Sequence, residues 1–254
     1  MITILSPAKT LRMDKAVNTS LCTNPIFIRE ASSLIKELIK YSPEDLEGLM
    51  KVNSKLAEQN FMRHITWEKE HNLSNGKQAL LAYDGAVFKG LNADDLNERQ
   101  LAFANEHLII LSGLYGALRP LDLIQPYRLE MGTKLKNKRG NNLYDFWGNK
   151  ITTYIKKELL IKNDNTLINL ASKEYYSIID MSKINAKVIT PVFKDYKNGT
   201  HKGITIYTKR ARGLMSRFII ENHISLPSDL KKFNEEGYRY NEYLSSNVEF
   251  IFTR

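Results

Sequence analysis

The chain has 254 residues with 43% hydrophobic content, which is enough for a buried core in one large domain or two small ones. Its 37 Lys and Arg against 28 Asp and Glu give a formal charge of +9, which favours an anionic partner such as nucleic acid or a phosphorylated ligand, or else reflects only a Lys-rich background. No apolar run approaches the roughly 18 residues of a membrane span, no basic-then-apolar leader opens the chain, and the single Cys22 rules out an internal disulfide framework, so a cytoplasmic protein with no membrane partner is expected.

The first strand is predicted at Ile2 to Leu5, followed by the loop Ser6-Pro7-Ala8-Lys9-Thr10. Positions 29 to 40 carry Leu34, Ile35, Leu38 and Ile39 at helical spacing. Ser42-Pro43-Glu44-Asp45 has the composition of a helix start, with Ser at the N-cap, Pro next and acids in the first turn. That helix ends near Met50, and another runs from Asn53 or Ser54 towards Glu68. Residues 29 to 70 are thus helical throughout and read as an inserted helical subdomain. A strand is predicted at Ala79 to Tyr83, a helix from Asn92-Ala93-Asp94-Asp95 to about Asn105, and a doubly buried strand at Leu108 to Leu111. Positions 112 to 135 show no regular period. Phe146 to Leu160 reads as helix, and Leu167 to Leu170 and Lys187 to Phe193 as strands. Asn198-Gly199 reads as a turn into a strand at Ile204 to Tyr207. A helix over Arg210 to Ile220 and a strand over Val248 to Phe252 close the chain. Alternating strands and helices predict a mixed α/β fold, a single compact domain around a mixed sheet.

Four apolar strands each run into a small or polar residue and a loop: Ser6 to Lys9, Asp84-Gly85, Ser112-Gly113, and Ala171 to Glu174. Ligands of open α/β sheets sit beyond the carboxyl ends of strands, so these loops are expected to meet at one edge. The longest of them, 112 to 135, holds prolines and interleaved Leu, Ile and Tyr, which argue for an ordered functional loop. Its Ser112-Gly113-Leu114-Tyr115-Gly116 fits an anion cradle of backbone N–H groups as well as a plain tight turn, and matches neither a P-loop nor a dinucleotide fingerprint. Arg119, Arg128 and Lys134 surround a single Glu130, which leaves at least one cation without a partner in the loop. Lys209, Arg210 and Arg212 fall at the start of the late helix, where cations oppose the macrodipole. They read either as an anion grip or as a solvated basic face. Gly213 in the same helix points to close packing or close ligand approach. Asp84 and the Tyr144-Asp145 pair can be acid–base groups or plain caps.

The stretch "SPEDLEGLMKVNSKLAEQN" pairs two short helices. It fits a helix-hairpin-helix, which aims backbone N–H groups and a helix N-terminus at a DNA phosphate, and it fits an ordinary helical hairpin. In the first case Lys51, Asn53, Ser54 and Lys55 are the nucleic-acid contacts, with Lys51 and Asn53 standing where glycines are usual. Asn tolerates left-handed backbone better than Lys does.

Taken together, "LSPAKT", "YDGAVFKGL", "SGLYGALRPLDLIQPYRLEMGTKL", "LYDFWG", "NLASKEY" and "KRARGLMSRFII" resemble the YaaA family of bacterial peroxide-stress proteins over essentially the full length. The resemblance implies one mixed α/β domain with an inserted helix-hairpin-helix, a basic cleft, sequence-independent binding of double-stranded or structured DNA, and a link to lowering free iron. The residues themselves imply no cofactor and no metal site. Cys22 has no partner for thiol peroxide chemistry, the five histidines form no HxH or HxxxH pair, and Glu68 to His71 supplies the ExxH spacing of a di-iron site only once. Two functions stay open. One is a DNA-binding stress protein. The other is an enzyme on a small anionic or nucleotide substrate, held by Lys9, Arg119, Arg128 and Arg210, with Tyr115, Glu130 or Lys134 moving protons.

Overall fold

The computed structural model describes residues 1–254. Along the chain, β1 (Ile2–Leu5) and the short β2 (Thr10–Leu11) precede three helices, α1 (Ile28–Leu38), α2 (Pro43–Met50) and α3 (Ser54–Ile65). Then come β3 (Lys77–Gln78), a single helical turn α4 (Ala79–Ala82), β4 (Tyr83–Asp84), α5 (Ala86–Leu91) and α6 (Glu98–His107). β5 (Leu108–Ser112) leads into β6 (Gly116–Leu118) and β7 (Leu123–Ile124), followed by α7 (Leu143–Trp147) and α8 (Lys150–Ile161). β8 (Thr166–Leu170), α9 (Lys173–Tyr176), β9 (Lys187–Lys197) and β10 (Thr200–Lys202) come next. The long α10 (Thr205–Glu221), β11 (Arg239–Tyr240) and β12 (Glu249–Thr253) complete the chain.

The main sheet runs β11-β12-β9-β8-β1-β5-β6, with β10 hairpinned onto β9. The pairs β1 with β5, β1 with β8, β8 with β9 and β9 with β12 are parallel, and the outer pairs are antiparallel. β1 and β8 are buried on both faces along their whole length, as near-continuous apolar runs in a parallel sheet require. From β1 the chain crosses to β5 on one side; from β8 it crosses to β9 on the other. The carboxyl ends of β1 and β8 therefore diverge at a topological switch point, where open α/β sheets leave a crevice. One cluster of buried apolar residues spans the molecule and includes Leu34 and Leu38 of α1, Leu46 and Met50 of α2 and Ala57 of α3. No helix is long and apolar enough to cross a membrane.

Four element predictions need correction. Ala79 to Tyr83 is not a strand of the sheet. Ala79-Leu80-Leu81-Ala82 forms a buried helical turn, since Ala and Leu are strong helix formers and a four-residue apolar run carries no period. The helix expected from Asn92 is a 3₁₀ turn over Ala93–Asp95, after which Asn97 starts α6 with a reciprocal Asn97–Gln100 capping box. Phe146 to Leu160 is two helices, separated at Gly148-Asn149. The Asn198-Gly199 turn does close a hairpin, but its second strand is Thr200–Lys202, and Ile204 to Tyr207 open α10. Lys209, Arg210 and Arg212 consequently lie beyond the first turn of α10, and the helix-dipole argument for an anion there falls away.

α10 crosses α5 at very short range. A Cβ on Gly213 would lie 1.8 Å from the Val87 carbonyl oxygen, and one on Gly90 would lie 2.3 Å from that of Arg210. Two glycines facing each other let the helix backbones touch, and that contact carries Lys209 and Arg212 to the end of β4 and the start of α5.

Candidate functional site

A pocket of about 600 Å³ opens beyond the carboxyl ends of β1 and β8. Ser6 to Thr10 enter it after β1, Asp84 to Val87 from the end of β4 onward, and Ser172 to Tyr175 after β8. The fourth strand-end loop contributes not its first residues but Tyr127 to Glu130, and α10 adds Lys209 and Arg212. Ser6 Oγ accepts the Ser172 N–H at 2.8 Å, which ties the two diverging strand ends together.

The 112 to 135 stretch reaches the pocket by folding back on itself. A Cβ on Gly113 would lie 2.3 Å from the Leu129 carbonyl oxygen, so only glycine admits this return. Buried polar groups fix the path. Tyr127 hydroxyl bonds to Ser112 Oγ at 2.6 Å and to the Tyr83 hydroxyl, and Ser112 Oγ accepts the Tyr115 N–H at 3.0 Å. Trp147 Nε1–H donates to the Gly113 carbonyl at 2.9 Å. Burial pushes the Tyr127 phenol up to about 12, so it is a neutral hydrogen-bonding group at physiological pH.

The sequence placed Lys9, Arg119, Arg128, Glu130, Lys134 and Arg210 in one cleft, and the structure divides that set. Lys9, Arg128 and Glu130 do meet: Glu130 accepts Lys9 Nζ at 2.7 Å and Arg128 Nη2 at 3.0 Å. Lys209 and Arg212 join them as lining residues. Arg119 lies elsewhere. Its guanidinium pairs with the fully buried Asp122 at 2.9 Å and donates to the Asn24 carbonyl at 3.0 Å, so it pins the loop to residues 23 and 24. Arg210 pairs with Glu236 on the far side of α10, and Lys134 is exposed outside the pocket. The reason is periodicity: along α10, residues 209 and 212 share one face while 210 is turned away.

Tyr115 is not a proton-transfer group of the pocket. It is fully buried, and its hydroxyl accepts Trp67 Nε1–H at 3.0 Å and the Gln125 N–H at 3.2 Å, with His71 Nε2 also at 3.0 Å. Desolvation raises its pKa far above the ordinary phenol range and drops His71 to about 4. This network anchors the segment after α3 to the loop. Tyr115→Phe leaves buried donors unpartnered at roughly 1–3 kcal/mol each, so a stability loss on the order of 2 kcal/mol is expected in urea denaturation. A variant as stable as the wild type would remove the network from the loop's support.

Sequence reasoning passed over Tyr127, Lys173, Glu174 and Tyr175 as site residues. Their signal was present in the strand-end loops, but four loops offer many side chains and only the fold selects among them. Glu174 accepts the Gly132 N–H at 2.9 Å, bridging the loop after β8 to the long loop. Asp84 lines the pocket with no ion-pair partner, whereas Glu130 has two. No group of three or more His, Cys, Asp or Glu side chains is arranged to hold a metal ion.

No residue of the α2–α3 turn lines this pocket. Ser42 opens α2 with a capping box to Asp45, and α2 ends with Lys51 in left-handed backbone at φ 53°. Lys51, not Asn53, adopts the glycine-like conformation. Asn53 is instead the extended N-cap of α3, its Oδ1 accepting the Leu56 N–H at 3.0 Å. Lys51, Asn53, Ser54 and Lys55 are all exposed. Arg63, further along α3, is held below its usual pKa by burial and by the nearby Arg128 charge.

A family model described as peroxide stress protein YaaA matches residues 1–244. The match spans every strand of the sheet except β12, the helices α1 to α10 and every pocket-lining residue. With the fold and the strand-end motifs described above, it establishes that the chain belongs to the YaaA family of peroxide stress proteins.

Proposed function

We propose that the protein serves the peroxide stress response in the cytoplasm by binding duplex or structured DNA without sequence preference, through the α2–α3 turn and the cations that lead from it to the pocket. The observation that carries this reading is the turn itself. A left-handed Lys51 and an N-capping Asn53 expose the start of α3, whose first N–H groups have no intrahelical partner, between the two exposed ammonium groups of Lys51 and Lys55. A phosphate there meets backbone donors, the positive end of the helix and two lysines. Arg63 lies eight residues beyond Lys55, roughly 12 Å along the helix axis, and Arg128 is its charged neighbour. Positive charge thus continues from the turn towards the cleft. The lowering of free iron follows in this reading as an indirect consequence of action on DNA.

Non-specific duplex affinity is expected at roughly 10⁻⁴ to 10⁻⁶ M at physiological salt, falling steeply as salt rises. Lys51→Glu with Lys55→Glu should weaken binding to all sequences alike and reduce the salt slope by about two. Fluorescence anisotropy across a salt series checks this. Unchanged affinity and slope in the double variant would remove the turn from DNA binding.

A further inference from the structure

We propose that the strand-end pocket is a second, separate site, which binds a nucleotide-sized phosphate monoester. Size and place agree with a ligand site: about 600 Å³ at the switch point of the sheet lies within the range of small-molecule pockets. The charges identify the ligand's head. Lys9 and Arg128 share Glu130, and Glu174 is engaged by the Gly132 N–H. Arg212 is different. It is half-buried, lines the pocket, pairs with no carboxylate, and its Nε is buried without any hydrogen-bond partner. Arg128 Nε is likewise buried and unpartnered, even though its Nη2 holds Glu130. Exposed Lys209 and Lys173 complete the rim.

An unpaired guanidinium drawn out of water is unfavourable, and nothing in the protein offsets it. A phosphate dianion in this pocket would give the Arg212 guanidinium the anionic partner that the protein does not supply, with Arg128 as a second cation in the same lining, because a guanidinium matches tetrahedral oxyanions with two parallel bonds. Pro7, Ala8, Val87, Leu129 and Leu170 add an apolar part to the lining that suits a flat or hydrophobic body. Asp84 stands in the same pocket without an ion-pair partner, free to accept from a sugar hydroxyl or a base amino group. Head, body and acceptor together describe a nucleoside monophosphate, either free or at the 5′ end of a strand. None of Lys51, Asn53, Ser54 or Lys55 lines the pocket, so Arg128 is the one residue this site shares with the DNA reading above.

The test is calorimetric titration of the full chain with a free nucleoside 5′-monophosphate, with inorganic phosphate, and with a short 5′-phosphorylated single strand beside its unphosphorylated twin. The nucleotide should bind, and Arg212→Met should weaken it by about tenfold or more, as loss of a charged hydrogen-bonding partner does. Without ligand, Arg212→Met should be as stable as the wild type or more so, because it removes an uncompensated charge. The Lys51→Glu, Lys55→Glu variant should bind the nucleotide unchanged, which separates this site from the turn. A preference for the phosphorylated strand over both the free nucleotide and the twin identifies a strand end as the source of the phosphate. The reverse order identifies a free metabolite. No heat above that of inorganic phosphate with either source, equal nucleotide affinity in Arg212→Met, or marked destabilisation of ligand-free Arg212→Met would each overturn the proposal.

Discussion

Gly213→Ala should destabilise the protein on the order of 3 kcal/mol or more, which for a chain of this size corresponds to a fall in Tm of about 6–12 °C. The added methyl carbon would lie 1.8 Å from the Val87 carbonyl oxygen and 2.8 Å from the Leu91 nitrogen, both backbone atoms that no rotamer change can move. Relief requires α10 to back away from α5 until the contact nears an ordinary 3.4 Å. Ala211, Leu214 and Met215 are buried on the same helix and would lose packing as it moves. Gly213 is also flanked by Arg212, so the same displacement shifts a pocket wall. Differential scanning calorimetry checks the first effect. Gly48→Ala, where the new carbon meets nothing within 4 Å, is the control and should be neutral or slightly stabilising, as the helical residue gains propensity. Equal Tm values for the two variants would show that the α5–α10 contact is not the tight crossing described here.

Stability should also fall steeply between pH 6.5 and pH 4, before most carboxylates titrate. Burial drops both His64 and His71 to about 4, whereas in the unfolded chain each returns to about 6.5. The unfolded state therefore binds more protons in this window. The histidine contribution is fully present above pH 6.5, is lost progressively as the pH falls to 4, and changes no further below that. From the ordinary 1.36 kcal/mol per unit, His64 contributes a loss on the order of 2 kcal/mol between pH 7 and pH 5; partly solvated His71 adds less. His64 is the sharper probe. It is 1% exposed and both ring nitrogens lack a hydrogen-bond partner, so a charged ring there has nowhere to turn. His64→Leu should be neutral or stabilising at pH 7 and should flatten the pH dependence by about one proton. Urea denaturation at pH 7, 6 and 5 measures both. A wild-type stability that is level across this range would mean that neither ring is buried as described.

Features that depend only on neighbours along the chain were legible before any fold was known. Ile2–Leu5, Leu108–Ser112 and Thr166–Leu170 are largely apolar runs that each lead into a small or polar loop, so a mixed sheet with buried central strands and ligand-bearing strand ends could be read directly. Ser42-Pro43-Glu44-Asp45 specified the start of α2 because a capping box is a local hydrogen-bond pattern. The long motif was legible as ordered because its prolines fix the backbone locally and its interleaved Leu, Ile and Tyr call for burial.

Tertiary structure decided which side chains meet. Arg119, Arg128, Lys134 and Arg210 look equivalent in sequence, yet Arg119 is held by buried Asp122 and Arg210 by Glu236, while Lys134 stays in solvent. Only Arg128 reaches the pocket, because Gly113 lets the loop fold back beneath the Leu129 carbonyl. Arg212 became the decisive cation through two glycines on different helices, 123 positions apart in the numbering from Gly90 to Gly213, whose missing side chains set how closely α5 and α10 approach. The free charge of Arg212 is likewise a property of the fold. A guanidinium is unpaired only once every carboxylate has found its place, and those places are fixed by long-range packing that no local pattern encodes.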